Sequence, residues 1–149
     1  MIDWMRNAGL AATAMAIGSG AVAATAQEAT PAGTRPMVVI DERTTMRDEP
    51  TPHGAIGRST AYRISDSVPG RTMEFRKRVL HPGAAIGAHV IAHDEVYYVL
   101  DGTGEVFSGA DRRALRPGMA AYLFTGENVG IRQTGKAPLT LIVSYPVVK

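Results

Sequence analysis

From residue 59 onward, short runs rich in aliphatic, β-branched and aromatic residues are separated by clusters of Gly, Pro, Asp and Asn. The runs 60–64, 73–80, 88–91, 95–100, 105–108, 113–115, 120–124, 129–133 and 139–145 are predicted strands. The breaks carry turn chemistry: Val68-Pro69-Gly70, Pro82-Gly83, Asp101-Gly102, Arg116-Pro117-Gly118 and Thr125-Gly126. No stretch of 27–149 sustains a helical period, so the fold class predicted is all-β, a sandwich or small barrel. Alternation along a strand places Glu95, Tyr97 and Val99 on one face, and Val129, Ile131 and Gln133 on another. On the run 73–80, Met73, Phe75 and Val79 make the more apolar face. That face is expected to be buried, which turns Arg76 and Arg78 outward and Lys77 inward. In the opposite phase, one of the two arginines would be placed to clamp a carboxylate or phosphate.

The first 58 residues read differently. Residues 1–26 combine a basic start at Arg6, an apolar stretch of small residues and Ala24-Thr25-Ala26, the pattern of a cleaved secretory signal. Met5 would make a more typical signal start than Met1. The apolar run is too short and too rich in Ala, Gly and Thr for a membrane span. A periplasmic or secreted protein with no stable membrane anchor after cleavage is expected. Residues 27–58 are rich in Pro, Thr, Asp and Glu and are expected to form an extended arm or loop, with 37–40 as a short edge strand. Residues 59–149 then hold a single barrel domain.

Composition narrows the chemistry. The 149 residues contain no Cys, which removes thiol nucleophiles, thiolate metal sites and disulfides. A formal charge of +2 and the lack of a basic run interleaved with aromatics give no footprint for nucleic acid. Neither a G-x-S-x-G nor a phosphate-cradling G-x-x-x-x-G-K-[ST] occurs. His53, in the loop Pro52-His53-Gly54, reads either as a residue able to close over a pocket mouth or as an ordinary loop histidine. Tyr62, Tyr98 and Tyr122 read as packing residues.

One stretch carries more information than the rest, PGAAIGAHVIAHDEVYYVLDG, from Pro82 to Gly102. Gly83, His89, Glu95 and Gly102 stand at the spacing G-x5-H-x-H-x3-4-E-x6-G, and the stretch resembles the first motif of the cupin barrels. Ile91 stands where that motif has its second His. The second motif, G-x5-P-x-G-x2-H-x3-N, is similar at Gly118 and Gly126, with Phe124, Val129 and Gln133 replacing its Pro, His and Asn. The resemblance implies a small double-stranded β-helix, a jelly-roll-like barrel with an extended N-terminal arm, and a family habit of pairing as homodimers. It also implies a divalent metal held by three imidazoles and a carboxylate, of which only His89 and Glu95 remain here. If His93 turns inward, then His89, His93 and Glu95 would form a set suited to iron, manganese or zinc.

The other reading is a metal-free cavity. By the family's orientation it would hold His89, Glu95, Tyr97 and Gln133 against an apolar wall of Ile91, Val99, Val129 and Ile131. His89 and Glu95 would then work as base and acid on a small polar ligand, sugar-derived or a keto or hydroxy acid, by isomerisation, epimerisation or elimination. A metal-dependent dioxygenase or isomerase, and a non-catalytic binding or assembly protein, stand as alternatives. The sequence leaves open whether the protein is an enzyme.

Overall fold

The computed structural model describes residues 35–147, and the signal-like segment 1–26 lies outside the described residues. A 3-10 turn, Glu42–Thr45, is capped by Asp41, whose carboxylate accepts from the backbone N of Arg43 at 3.0 Å. Ten strands follow: β1 Met46–Pro50, β2 Arg58–Tyr62, β3 Met73–Leu80, β4 Ala85–Val90, β5 Glu95–Asp101, β6 Gly104–Ser108, β7 Asp111–Leu115, β8 Ala120–Leu123, β9 Asn128–Gln133 and β10 Leu139–Pro146. They form a six-stranded sheet, β1-β2-β3-β10-β5-β8, and a four-stranded sheet, β4-β9-β6-β7, antiparallel throughout.

One hydrophobic core joins the sheets. The large sheet supplies Leu80, Val99 and Leu141, and the small one Ile86, Val106, Val129 and Ile131. Two antiparallel sheets closed over a shared core make the all-β, jelly-roll-like barrel expected from the strand pattern. The turn glycines are required by geometry. Gly102 has φ +77°, and a Cβ there would lie 2.1 Å from the Pro138 carbonyl oxygen, so the turn from β5 to β6 excludes any side chain.

Three local features differ from the sequence reading. Residues 37–40 are not in a strand; the edge strand is β1, farther along within the stretch expected to be an arm. Its sequence, MRDEP, has no apolar alternation, and its ladder to β2 and the ion pairs of Glu49 hold it instead. Second, β4 ends at Val90, and Ile91 follows it in a turn closed by the Glu127 and Gly126 backbones. Third, the phase of β3 is the reverse of the one favoured by its apolar residues. Glu74 and Arg78 are 5% and 6% exposed while Met73 and Phe75 are 54% and 41% exposed. Charged side chains are tolerated inside because each finds a partner of opposite charge.

Candidate functional site

A cavity of about 430 Å³ opens between the sheets. β3 contributes Arg76 and Arg78, β4 His89, β5 Glu95 and Tyr97, and β10 Val143 and Tyr145. The end of β1 and the loop after it add Glu49, Pro50, Pro52 and His53, and Arg63 follows β2. The alternation of β5 aims Glu95 and Tyr97 inward together, and its register with β10 sets Tyr97 beside Val143.

Glu95 is the unusual group. It is 5% exposed, and burial pushes its carboxyl up to about 7, with only the positive charge of Arg76 opposing the shift. Within the described residues no hydrogen bond holds its ionised form. Tyr97, 1% exposed, has its hydroxyl raised by burial and by the adjacent Glu95.

The arginines are clamped. Arg78 donates to Ser59 Oγ at 2.7 Å and to Glu49 Oε1 at 2.9 Å, and Arg63 donates to Glu49 Oε2 at 2.8 Å. Burial works to raise the Glu49 carboxyl, but its bonds to Arg63 and Arg78 outweigh it and hold the group below the usual range. Arg76 donates to Glu74 at 3.1 Å and to Asp66 at 3.3 Å, with its guanidinium 5.9 Å from the centre of the Tyr145 ring. Lining charges are therefore three guanidiniums against Glu49 and a carboxyl, Glu95, that is half neutral at pH 7.

Two imidazoles complete the wall. His89 Nδ1 lies 2.9 Å from the Gly87 carbonyl, so Nδ1 donates and Nε2 is left as an acceptor. The ring of His53 lies flat on His89, with centroids 3.6 Å apart and 4° between planes. Burial, with lesser contributions from His89 and Arg78, lowers the pKa of His53 and favours its neutral form.

His89, Glu95 and Tyr97 thus share one cavity, as their strand positions imply, although no hydrogen bond joins His89 to Glu95 among the described residues. The other residues expected there lie elsewhere. The expected apolar wall, Ile91, Val99, Val129 and Ile131, belongs to the core and does not line the cavity. Gln133 accepts from Gly83 N at 3.0 Å and donates to Gly135 O and Ala137 O at 2.6 and 2.7 Å, so its amide ties two loops together. His93 faces away, stacked on Tyr145 at 4.3 Å over a separate depression with Asp94 and Tyr122. The expected set His89, His93 and Glu95 does not converge. Among the described residues no three His, Asp or Glu side chains stand close enough to hold a metal ion. Alkyl groups at positions 91 and 129 and a stacked His93 do not fit the divalent metal that the motif implies. Arg63, Glu49 and Tyr145 were not expected in the site, and Arg76 and Arg78 only in the phase of β3 that its apolar residues disfavoured. That phase becomes legible only once Glu49 is seen to be a strand residue.

Residues 77–145 match the family model described as the cupin domain. No curated protein matches the chain. Among solved structures, a predicted oxalate decarboxylase from Thermotoga maritima is similar at 20% identity and a TM-score of 0.66, over 74% of this chain and 100% of that one. A polyketide cyclase from Streptomyces resistomycificus is 18% identical with a TM-score of 0.63, covering 74% of this chain and 80% of its own. A sugar phosphate isomerase from Silicibacter pomeroyi is 17% identical with a TM-score of 0.61, over 74% and 76%. Likeness at these identities establishes the barrel and leaves the chemistry to the residues in the cavity.

Proposed function

We propose that this chain is a cupin, as the match of residues 77–145 to the cupin domain supports, and that its cavity binds a small organic acid and moves a proton on it without a metal. The observation that carries this is Glu95: a buried carboxyl with no hydrogen bond among the described residues, close to 7, in a cavity walled by arginines and imidazoles. A carboxyl near 7 is present in both forms at neutral pH and can take a proton and return it. The lining arginines favour an anion, and Arg76 is the one whose charge reaches Glu95.

The step is a proton transfer next to a carbonyl. Glu95, ionised, takes the proton from the ligand carbon; the C–H electron pair moves into the carbonyl to give an enolate, held by Arg76. Glu95, now neutral, returns the proton to the same carbon, or to the neighbouring one once the proton of a hydroxyl on the first carbon has passed to the enolate oxygen. Isomerisation and epimerisation follow from where the proton lands, and elimination follows if a leaving group departs instead. His89 Nε2, free to accept, positions a ligand hydroxyl. A sugar phosphate isomerase and a predicted oxalate decarboxylase on this barrel support small anionic ligands as the class to try.

The test is calorimetric titration, with a chelator present, against pyruvate, 2-oxoglutarate, glycerate and glucose 6-phosphate. At least one should bind, Arg76→Ala should weaken it by about tenfold or more, and Glu95→Gln should abolish deuterium exchange into the bound ligand from heavy water. Binding that requires added metal would overturn the reading, and binding without exchange would reduce the protein to a non-catalytic carrier. The proposal extends to export, supported by the pattern of residues 1–26, and to a homodimer. The latter is supported by exposed Phe75, Tyr98, Leu100 and Tyr122 on the outward face of the large sheet.

A further inference from the structure

Pro52 and His53 line the cavity, and the chain that continues from them to Gly57 adopts a conformation that ordinary loops avoid. His53 (φ 57°), Gly54 (113°), Ala55 (52°) and Gly57 (76°) all lie in the positive-φ region. Two of them carry side chains, for which that region is costly. Such a backbone persists only where contacts over-determine it, and these contacts are few and local. Gly87 N donates to Pro52 O at 3.2 Å, Ala85 N to Ile56 O at 3.0 Å, and Thr51 Oγ1 to Ile56 O at 2.9 Å. A further contact is the flat stack of His53 on His89.

The position of this loop is what matters. Pro50, Pro52 and His53 line the cavity, yet His53 is also exposed to solvent, so it stands between the two. The loop also lies unusually close to β4: a Cβ on Gly87 would come 1.6 Å from the His53 carbonyl oxygen. Only glycine at 87 lets the loop close. We propose that residues 51–57 form a gate over the cavity, and that His53 is the residue that closes it by stacking on His89. Strained backbone favours release, while the stack and two backbone bonds to β4 favour closure. A segment so balanced opens locally without unfolding the barrel. The inference rests on the proposed site only for the nature of the occupant.

Amide hydrogen exchange on the full protein without ligand tests it, because the amides of Gly87 and Ala85 are bonded to the loop itself. Val99, whose amide donates to Met119 O inside the barrel, is the internal reference. The amides of Gly87 and Ala85 should exchange at least about tenfold faster than that of Val99. His53→Ala should speed them by about a further tenfold with Val99 unchanged, and His53→Phe, which keeps a flat ring on His89, should restore the slow rate. Gly87→Ala should leave the Ala85 amide fast although His53 is intact. With 2-oxoglutarate as probe, His53→Ala should raise the association and dissociation rates together. Exchange of Gly87 and Ala85 at the Val99 rate, or no response to His53→Ala, overturns the gate whether or not any acid binds.

Discussion

Glu95 and Ile91 show how unequal single positions can be. Both fall within the same motif, but one is a carboxyl aimed into a cavity and the other a packed core residue. Burial of Glu95 also has a consequence for stability. Its folded value, about 7, lies above the 4.5 of the exposed group. The native state therefore holds the proton longer than the unfolded chain, and stability present below about pH 4.5 is lost as pH rises to about 7. Glu95→Gln keeps the neutral shape. It should be more stable than the parent above about pH 8, by no more than about 3 kcal/mol, with the gap closing toward pH 4.5. Denaturant unfolding of both proteins across this range reads the difference, and a constant gap would mean that Glu95 titrates normally. Sequence put Glu95, Tyr97 and Val99 on one buried face correctly because the period of two is a local property of β5, although Val99 packs in the core and only the first two reach the cavity. It misplaced Ile91 and Gln133, since neither the end of β4 nor the loops that the Gln133 amide serves are encoded next to those residues.

Among the elements, β3 was the strand most misjudged, and β1 the one missed. The two errors have one cause. Arg78 points inward because Glu49 of β1 and Ser59 of β2 receive it, and these partners lie 29 and 19 residues away. Hydrophobic patterning scores a charged residue as outward, and the cue that reverses the phase is a distant carboxylate. Glu49→Ala should leave Arg78 and Arg63 without their shared partner and cost about 3 kcal/mol, measured by denaturant unfolding. A loss below about 0.5 kcal/mol would place the pair among surface ion pairs of little consequence. The turn between β5 and β6 offers a second check. Gly102→Ala meets both a positive φ and the Pro138 carbonyl and should cost at least about 1–3 kcal/mol.

At the scale of the whole molecule, the strand pattern and the motif glycines made the barrel legible. The chemistry was only half legible, because the cavity is built from side chains of both sheets and from a loop that no local pattern announces. Acid stability should follow the clamped carboxylates. The Glu49 carboxyl, and likewise that of Glu74, is raised by burial but held lower overall by its arginine partners, and Asp94 is lowered by its bonds to Tyr122 and Thr125. Each contributes stability that is present above the ordinary carboxylate range and lost as pH falls through its lowered value. Melting temperature should therefore drop steeply below about pH 4. The proposed homodimer is read by sedimentation, where Tyr98→Glu with Tyr122→Glu should yield a monomer that melts as a folded barrel.

The proposed chemistry depends on the state of one carboxyl. Titration of the carboxyl carbon of Glu95 by nuclear magnetic resonance, in selectively labelled protein without ligand or metal, measures it directly. The expected midpoint is about 7, falling further from the ordinary value in Arg76→Ala as the opposing charge is removed and the midpoint rises. A midpoint near 4.5, unchanged in that variant, would contradict the account: Glu95 would then be a solvated carboxylate, and the cavity would have no group poised to exchange a proton at neutral pH.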